Sequence, residues 1–322
     1  MTLIAGLKCV DGIVLAADTE ESTLYTRGRA RKLLTRTFSK GKNRHDPKTV
    51  VVAIAGAGSA ALIDSAIEEI FEAISVSKGS TVGQLKKTIS NSLLRFYRHN
   101  VSAYPTRDPL DNVIDLICGV RAATGELTLY KASGPLLSTV TGFAICGSGE
   151  LLRHIVEELY QPTIAVPRAV ALTLHTLNLG KRYVTGVGGD SEIVTLLAHG
   201  IPAQEHVKGI KIKEQHLDQF NQLVGELLLQ FPDASITPDA FAMAMSQVVN
   251  DVQDLRTRQS ELLAAAAETL QTSPGSVVLG PRKPMGDTPT PIPAKSTKQT
   301  ISRELSKKKP KPPTPQGAKR DR

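Results

Sequence analysis

Several residue types that organise particular classes of protein are scarce in this chain of 322 residues. It has no Trp, its aromatic content is 4%, and its three cysteines (Cys9, Cys118 and Cys146) are far apart, with no Cys-x-x-Cys pair. An odd and sparse cysteine set argues against a disulfide framework and favours a reducing compartment. We expect each cysteine to be a small buried hydrophobe, in a core built mainly from Val, Leu, Ile and Ala.

Long apolar runs are also missing, and none approaches the ~20 residues that a membrane-spanning helix requires. The apolar stretch 3–17 contains Lys8 and Asp11, and it lacks the basic leader and the cleavage site of a signal peptide. The seven histidines show no HExxH motif or paired spacing, so no metal and no cofactor is predicted. We expect a soluble, cytoplasmic protein that does not contact membranes.

The formal net charge of +8 is unevenly distributed along the chain. Residues 271–322 contain twelve Lys or Arg and three Asp or Glu, a surplus of nine, so residues 1–270 carry a formal charge of −1. The same segment contains GPRKP, TPTPIP and KKKPKPPTP, a composition that cannot build a core. We expect a disordered tail over 272–322, which either binds polyanions weakly or is only a solubilising linker.

The remaining sequence predicts an α+β fold. Apolar, β-rich segments at 2–9 and 13–18 flank Asp11-Gly12, a strong hairpin signal. A second hairpin is predicted over 22–37, further strands at 50–56, 112–121, 126–131, 136–146 and 191–200, and helices at 59–76, 80–100, 149–160 and 165–180. Runs of strands followed by helix pairs predict two stacked sheets with a helix pair on each outer side.

Two further helical segments, 211–231 and 238–271, follow the last strand. Their apolar residues step by three and four positions, and the second segment forms a heptad seam with one polar position, Gln259. Such a seam suits a helical hairpin or an oligomer contact, and the alternative is two helices folded back on the body. We therefore divide the chain into a body (1–204), a helical hairpin extension (205–271) and the tail (272–322).

The chain enters its first strand directly after Met1 and Thr2. Thr2 is small enough for Met1 to be trimmed after synthesis, which would leave a hydroxyl and an α-amine on one residue. An α-amine with a pKa of about 8 can accept the hydroxyl proton while the oxygen attacks a carbonyl. Many proteins begin with Met-Thr, so this signal alone is weak.

Four stretches strengthen the interpretation of Thr2 as a nucleophile. They are TLIAGLKCVDGIVLAAD (2–18), RKL (31–33), AIAGAG (53–58) and AICGSG (144–149). Together they resemble the proteasome β-subunit family of N-terminal nucleophile (Ntn) hydrolases, including the bacterial ring peptidases served by ATPases. The resemblance covers roughly 1–200. It implies a four-layer αββα sandwich and a threonine peptidase acting on peptides or unfolded proteins. It also implies a homo-oligomeric ring, with an ATPase unfoldase as a candidate partner.

The resemblance implies that Thr2 is the nucleophile and that Asp18 and Lys32 assist it. A buried ammonium near the Thr2 amine disfavours protonation of that amine, and Asp18 offsets the lysine charge. The structural alternatives are a strand-end turn residue for Asp18 and a solvated strand charge for Lys32.

Three more residues receive roles from the same comparison. Gly56 matches the glycine whose N–H forms the oxyanion hole, with Gly58 as the alternative. Ser148 matches the serine whose hydroxyl orients the terminal amine, although a helix N-cap would explain it equally. Thr185 matches a serine that follows the fourth helix.

One departure concerns GKRYVTGVGGDSE (180–192). With Thr185 matched to the serine, Arg182 stands where the resemblance implies a second aspartate. Either Asp190 substitutes for that aspartate, or activity is weak or absent. In the second case the chain is an inactive scaffold whose hairpin and tail bind partners, and this alternative stays open.

The stretch AIAGAGSAA (53–61) has a competing interpretation as a dinucleotide-binding turn, G-x-G-x-x-A at Gly56, Gly58 and Ala61. That fold requires a second parallel strand directly after the helix. A second helix is predicted there instead, so the nucleotide site is the weaker hypothesis.

Overall fold

The computed structural model describes residues 2–22, 27–40, 49–102, 114–231 and 235–272. Met1 and nearly all of the predicted tail lie outside these residues. The described strands are β1 (Leu3–Lys8), β2 (Gly12–Asp18), β3 (Glu20–Ser22), β4 (Arg27–Arg29), β5 (Leu33–Ser39), β6 (Thr49–Ala57), β7 (Asp115–Arg121), β8 (Leu127–Ser133), β9 (Leu136–Val140), β10 (Phe143–Gly147), β11 (Ser191–Leu197) and β12 (Ala203–Gln204). The described α-helices are α1 (Ala60–Val76), α2 (Val82–Phe96), α3 (Arg153–Leu159), α4 (Val166–Tyr183), α5 (Val207–Gln230) and α6 (Pro238–Thr272).

These elements form a mixed protein of the α+β class, as the sequence predicted. The first sheet has the strand order β10-β1-β2-β11-β12, and the second has the order β5-β6-β7-β8-β9. Neighbouring strands in both sheets are antiparallel. A separate ribbon pairs β3 with β4.

Two sequence predictions differ from this arrangement. The second hairpin expected over 22–37 is instead a short ribbon, β3–β4, followed by β5, which pairs with β6 in the second sheet. The segment 136–146 contains two strands that belong to different sheets, because the chain crosses from β9 to β10 at residues 141–142. Local β-propensity identifies strands but does not identify their partners.

Both faces of β1 are buried, which explains its nearly continuous apolar sequence. Because side chains alternate across a strand, Leu3 and Ala5 pack in one cluster with Leu177 of α4. Ile4 faces the other way and packs in a cluster with Ile117 of β7. A third cluster joins the second sheet to α1 and α2.

The C-terminal extension packs against the body through α5. Ile210 is buried in the cluster that includes α4, and Leu217 packs against the same cluster. At the far end of the hairpin, the rings of Phe231 and Phe241 meet with their centroids 5.9 Å apart. Within the described ranges, no helix combines the length and apolar character needed to cross a bilayer.

Gly6 marks a close approach of the two sheets. A Cβ added at Gly6 would lie 2.5 Å from Cγ2 of Ile117 and 3.1 Å from side-chain carbons of Leu15 and Leu129. A larger residue would force these packed side chains apart.

We therefore expect Gly6→Ala to lower the free energy of unfolding by about 1–3 kcal/mol, because overpacking strains a filled core. The matched control is Gly225→Ala in the interior of α5, where an added Cβ meets nothing within 4 Å. That control should be neutral or stabilising by up to about 1 kcal/mol, from helix propensity. Urea unfolding of both variants measures the difference, and equal effects would contradict the packing argument.

Candidate active site

Thr2 is held from two sides at the start of β1. Its side chain and backbone are 6% exposed. The N–H of Leu3 donates to Oδ1 of Asp18 at 2.8 Å, and the N–H of Ser148 donates to the carbonyl oxygen of Thr2 at 2.8 Å. Thr2 is therefore fixed between the end of β2 and the turn that follows β10.

That turn depends on a glycine. Gly147 has φ +74°, a left-handed conformation that favours glycine. A Cβ added there would lie 2.3 Å from the carbonyl oxygen of Thr2. The sequence Gly147-Ser148 thus allows the turn to approach the Thr2 backbone.

Asp18 lies at the end of β2 and has no exposed surface. Besides the N–H of Leu3, its carboxylate accepts the N–H groups of Glu20 and Gly188, each at 3.2 Å. It also accepts the Lys32 ammonium, with Nζ 3.1 Å from both oxygens. The buried charge is thereby paired and hydrogen-bonded, as burial of a carboxylate requires.

Lys32 lies immediately before β5 and is 7% exposed. Its ammonium also donates to the carbonyl oxygen of Glu20. Burial lowers the pKa of Lys32 from its usual value, while the charge and hydrogen bond of Asp18 oppose the shift. The structure thus brings Asp18 and Lys32 together, and excludes the interpretation of Lys32 as a solvated strand charge.

Glu192 of β11 is a site residue that the sequence analysis missed. Its Oε2 accepts the backbone N–H groups of Lys32 and Leu33, each at 3.3 Å, and its Oε1 lies 3.8 Å from Nε of Arg31. Burial raises the pKa of Glu192, and the Arg31 charge and the two N–H groups oppose the shift. The single charged residue in the strand SEIVTLL was the signal available in the sequence.

Thr2 and Lys32 line a common cavity of about 530 Å³. Its wall combines apolar side chains with charged groups of both signs. The other lining residues are Glu21, Ala30, Arg31, Leu34, Gly58, Ser59, Ala60, Ile63 and Asp64.

The two candidate oxyanion glycines differ in their surroundings. The N–H of Gly56 donates to the carbonyl oxygen of Lys32 at 3.1 Å, as part of the pairing between β5 and β6. That N–H is therefore occupied, which argues against the oxyanion role predicted for Gly56. Gly58, the alternative, ends the turn after β6 with φ +126° and lines the cavity beside Thr2.

Ser148 and Thr185 line a second cavity, of about 600 Å³. Ser148 connects to Thr2 through its backbone N–H, while Thr185 is exposed. Arg182 points to the extension, where its NH2 lies 2.5 Å from Oδ1 of Asp218 in α5. Among the described residues, no hydrogen bond or ion pair joins Thr185 or Arg182 to Thr2, Asp18 or Lys32, although the cavity that Thr185 lines also includes Gly147 and Ser148, which contact the Thr2 backbone.

Asp190, the residue considered as a substitute for the second aspartate, pairs with two cations. Its carboxylate oxygens lie 3.0 Å from NH1 of Arg29 and 3.1 Å from Nζ of Lys211. The hydrogen bond to Lys211 lowers the pKa of Asp190. The carboxylate is thus directed towards α5 and β4.

The competing interpretation of residues 53–61 is excluded by the structure. The strand β6 is antiparallel to both of its neighbours, and α1 is followed by α2. The G-x-G-x-x-A stretch is therefore not part of a βαβ dinucleotide-binding unit.

The three cysteines are free and buried, as predicted. Burial raises the pKa of each thiol to about 12, so the thiols remain protonated at neutral pH.

No protein-family model and no curated protein matches this sequence. Solved structures with a similar fold include the Anbu (Gly-1) mutant from Hyphomicrobium sp. strain MC1, at 13% identity and TM-score 0.58, covering 70% of this chain and 97% of that chain. Anbu (ancestral beta-subunit) from Yersinia bercovieri matches at 12% identity and TM-score 0.57, covering 72% of this chain and 98% of that chain. The structure described as a helical assembly of the Anbu complex from Pseudomonas aeruginosa matches at 16% identity and TM-score 0.56, covering 74% of this chain and 99% of that chain.

At these identities the likeness shows the fold alone, which is proteasome-related and of the Anbu kind. The membership expected from the motifs, in the proteasome β-subunit-like Ntn hydrolases of the bacterial proteasome type, is therefore wrong. The similar structures are Anbu proteins, whose fold is related to that of the proteasome β-subunit but differs from it, and no family model supports the expected membership.

The environment of Glu192 makes stability depend on pH. Burial raises the pKa of this carboxyl in the folded protein. At pH values between the ordinary pKa of the unfolded chain and the raised pKa, Glu192 therefore binds more protons in the folded state than in the unfolded state. Its contribution to stability therefore decreases as pH rises through that window. Glu192→Gln removes the titration and keeps an oxygen acceptor, so its stability relative to wild type should increase from pH 4 to pH 7.

The measurement is urea unfolding across that range, with Glu157→Gln as the control at an exposed glutamate paired to Arg153. Glu192→Leu removes the acceptor of two N–H groups and should cost about 1–3 kcal/mol. A difference between Glu192→Gln and wild type that does not vary with pH would contradict the assignment.

Proposed function

We propose that this protein is a threonine-type peptidase that cleaves peptide bonds in peptides or unfolded proteins through Thr2, once Met1 has been removed. The observation that carries the proposal is that Thr2 and Lys32 line the same cavity. The Lys32 ammonium is paired with the buried Asp18 carboxylate. A positioned hydroxyl, a nearby cation and a cavity open to a substrate are the parts that nucleophilic catalysis needs.

In the proposed reaction, the Thr2 α-amine accepts the hydroxyl proton as Oγ1 attacks the carbonyl carbon of a peptide bond. The C–N bond then breaks, and the amine returns the proton to the departing nitrogen. Water hydrolyses the ester formed between Thr2 and the acyl fragment, with its proton passing through the same amine. This step restores the hydroxyl and releases the carboxylate product.

Lys32 and Asp18 support this chemistry by electrostatics and by position. An ammonium on the Thr2 cavity makes protonation of the α-amine less favourable, so the amine remains a base near neutral pH. Asp18 holds the ammonium and also accepts the N–H of Leu3, the residue next to the nucleophile. We assign the oxyanion donor to the N–H of Gly58, and such a donor contributes about 3 kcal/mol to transition-state binding.

The packing supports a four-layer αββα arrangement. Apolar clusters join the second sheet to α1 and α2, the two sheets to each other, and the first sheet to α3 and α4. In such an arrangement the ends of β2 and β5 meet at one edge of the inter-sheet layer, which is where Asp18 and Lys32 pair.

An inactive scaffold is the second candidate function. The observation in its favour is Arg182, which bonds Asp218 of α5 where the motif comparison called for an acid near Thr2. A scaffold does not require a free Thr2 amine, so covalent labelling of Thr2 separates the two functions. Cytoplasmic location, an ATPase unfoldase and polyanion binding by the tail stay predictions.

We expect wild-type protein to be labelled on Thr2 by a threonine-directed electrophile and to hydrolyse short peptides. Thr2→Ala should abolish both, because it removes the attacking oxygen. Thr2→Ser keeps a hydroxyl and an α-amine and should retain labelling. Tandem mass spectrometry of the labelled protein locates the modified residue.

Intact mass of the same sample provides the control, since labelled molecules should lack Met1. Retention of Met1 throughout would leave the amine base missing and would count against the peptidase. Wild-type turnover by Thr2→Ala would indicate another nucleophile. A folded wild-type protein without Met1 that is never labelled would favour the scaffold.

We also propose that the protein self-associates. The hairpin exposes large apolar side chains at Leu228, Leu229, Phe231 and Met243, and one structure of similar fold is described as a helical assembly. Light scattering at micromolar concentration, where moderate interfaces assemble, should give a multiple of the chain mass.

Replacing Leu229 and Phe231 together by Asp should shift the protein towards the monomer. Val76→Asp is the matched control, because Val76 is equally exposed at the end of α1, away from the hairpin. A wild-type monomer would overturn the proposal. So would an unchanged assembly in the hairpin variant.

A further inference from the structure

The Asp18 carboxylate and the backbone of the two residues after it are hydrogen-bonded to a short segment that follows α4 and ends at the first residue of β11. The N–H of Gly188 donates to Oδ2 of Asp18 at 3.2 Å, and its carbonyl oxygen accepts the N–H of Glu20 at 3.1 Å. Thr19 and Asp190 exchange hydrogen bonds: the Thr19 N–H donates to the Asp190 carbonyl at 3.0 Å, and the Asp190 N–H donates to Oγ1 of Thr19 at 2.8 Å. Residues 188–191, which we name the support segment, therefore fix the orientation of Asp18.

The support segment is held from its other side by α5 of the C-terminal extension. Oγ of Ser191 donates to Oε1 of Glu214 at 2.6 Å, and Nζ of Lys181 lies 2.7 Å from the same oxygen. One turn earlier in α5, Nζ of Lys211 pairs with Asp190 at 3.1 Å. Two side chains of α5 thus bond two consecutive residues of the support segment: Lys211 bonds Asp190, and Glu214 bonds Ser191.

The geometry makes the Glu214 contact the stronger of the two. Ser191 is 1% exposed and is the register partner of Asp18 in the pairing of β11 with β2. The side chain of Glu214 is 16% exposed, whereas that of Lys211 is 53% exposed. Exposed ion pairs are worth little, while a buried hydroxyl that loses its acceptor incurs a desolvation penalty.

We propose that α5 is a positioning element of the active site, in which Glu214 holds Ser191 and thereby sets the orientation of Asp18 and its lysine partner. The catalytic consequence rests on the proposed function, because it requires that Thr2 reacts. Glu214 acts through Ser191 and the support segment, so it is a positioning residue and does not contact the reacting atoms.

The test compares Glu214→Leu, Glu214→Gln and Ser191→Ala in the full-length protein. The matched control is Asp218→Asn, one turn further along α5, whose carboxylate bonds Asn178 and Arg182 but not the support segment. Two readouts are taken well below the unfolding temperature of each variant. They are the rate of Thr2 labelling at saturating electrophile, together with its half-saturation concentration, and amide hydrogen exchange of residues 2–8, 18–22 and 186–192.

Glu214→Leu and Ser191→Ala should lower the saturating labelling rate roughly tenfold or more, because small displacements of positioned groups are costly. The half-saturation concentration should change little. Glu214→Gln, which keeps an oxygen acceptor for Ser191, should recover most of the rate. Exchange at the Leu3, Glu20 and Gly188 amides should accelerate in the first two variants and stay unchanged in Asp218→Asn.

The exchange readout separates failure of this inference from failure of the proposed function. If wild type is never labelled but exchange accelerates as described, the peptidase is refuted while the positioning of Asp18 by α5 stands. Unchanged exchange in Glu214→Leu would overturn the inference whether or not the protein is labelled. Equal rate losses in Glu214→Leu and Asp218→Asn would also overturn it, because they would indicate a general effect on α5.

Discussion

The buried ion pair between Lys32 and Asp18 is the interaction on which the candidate site depends. Desolvating two charges costs several kcal/mol per ion even after relaxation, so such a pair needs further hydrogen bonds. Here the carboxylate accepts three backbone N–H groups, and the ammonium also donates to the Glu20 carbonyl. Since Asp18 ends a strand of the first sheet and Lys32 precedes a strand of the second, the pair also fixes one edge of the sheets relative to each other.

The scarcity of aromatic residues suits this geometry. The cluster between the sheets is rich in alanine, and it includes Ala17, Ala53, Ala55, Ala57 and Ala144. A Cβ added at Gly119 would already lie 3.1 Å from side-chain carbons of Leu15 and Leu196. Interiors are packed to the density of organic crystals, so small residues on one strand leave the space that branched side chains of the opposite sheet fill. Close sheets in turn bring Asp18 within reach of the lysine.

Sequence reasoning succeeded where the signal is local. The hairpin at Asp11-Gly12 forms, and the helix predicted over 80–100 begins at Val82, directly after a reciprocal capping box between Thr81 and Gln84. Both features depend on neighbours in the chain. The residues Thr2, Asp18 and Lys32 were selected by motif, and the structure places Asp18 against Lys32 and both Thr2 and Lys32 on one cavity.

What the sequence could not supply depends on tertiary pairing. The N–H of Gly56 is occupied because β5 happens to lie beside it in register. Glu192 acts on the backbone of Lys32 across 160 residues of chain. The acid of Glu192 stands out in its strand, but neither contact leaves a periodicity or a composition that identifies its distant partner in a single sequence.

Several charged side chains bond segments that adjoin the Lys32–Asp18 pair. Glu192 and Glu214 are partly buried acids that each bond a group next to the pair, and Asp190 lies further out between Arg29 and Lys211. An exposed pair such as Arg29–Asp190 contributes less than about 1 kcal/mol alone. Because the Asp190 backbone is also bonded to Thr19, such a pair restricts the position of a segment that contacts the site. The ion pairs of Asp190 therefore contribute more to the position of the support segment than to the free energy of unfolding. A substitution in α5 can for this reason alter the orientation of Asp18 without a direct contact.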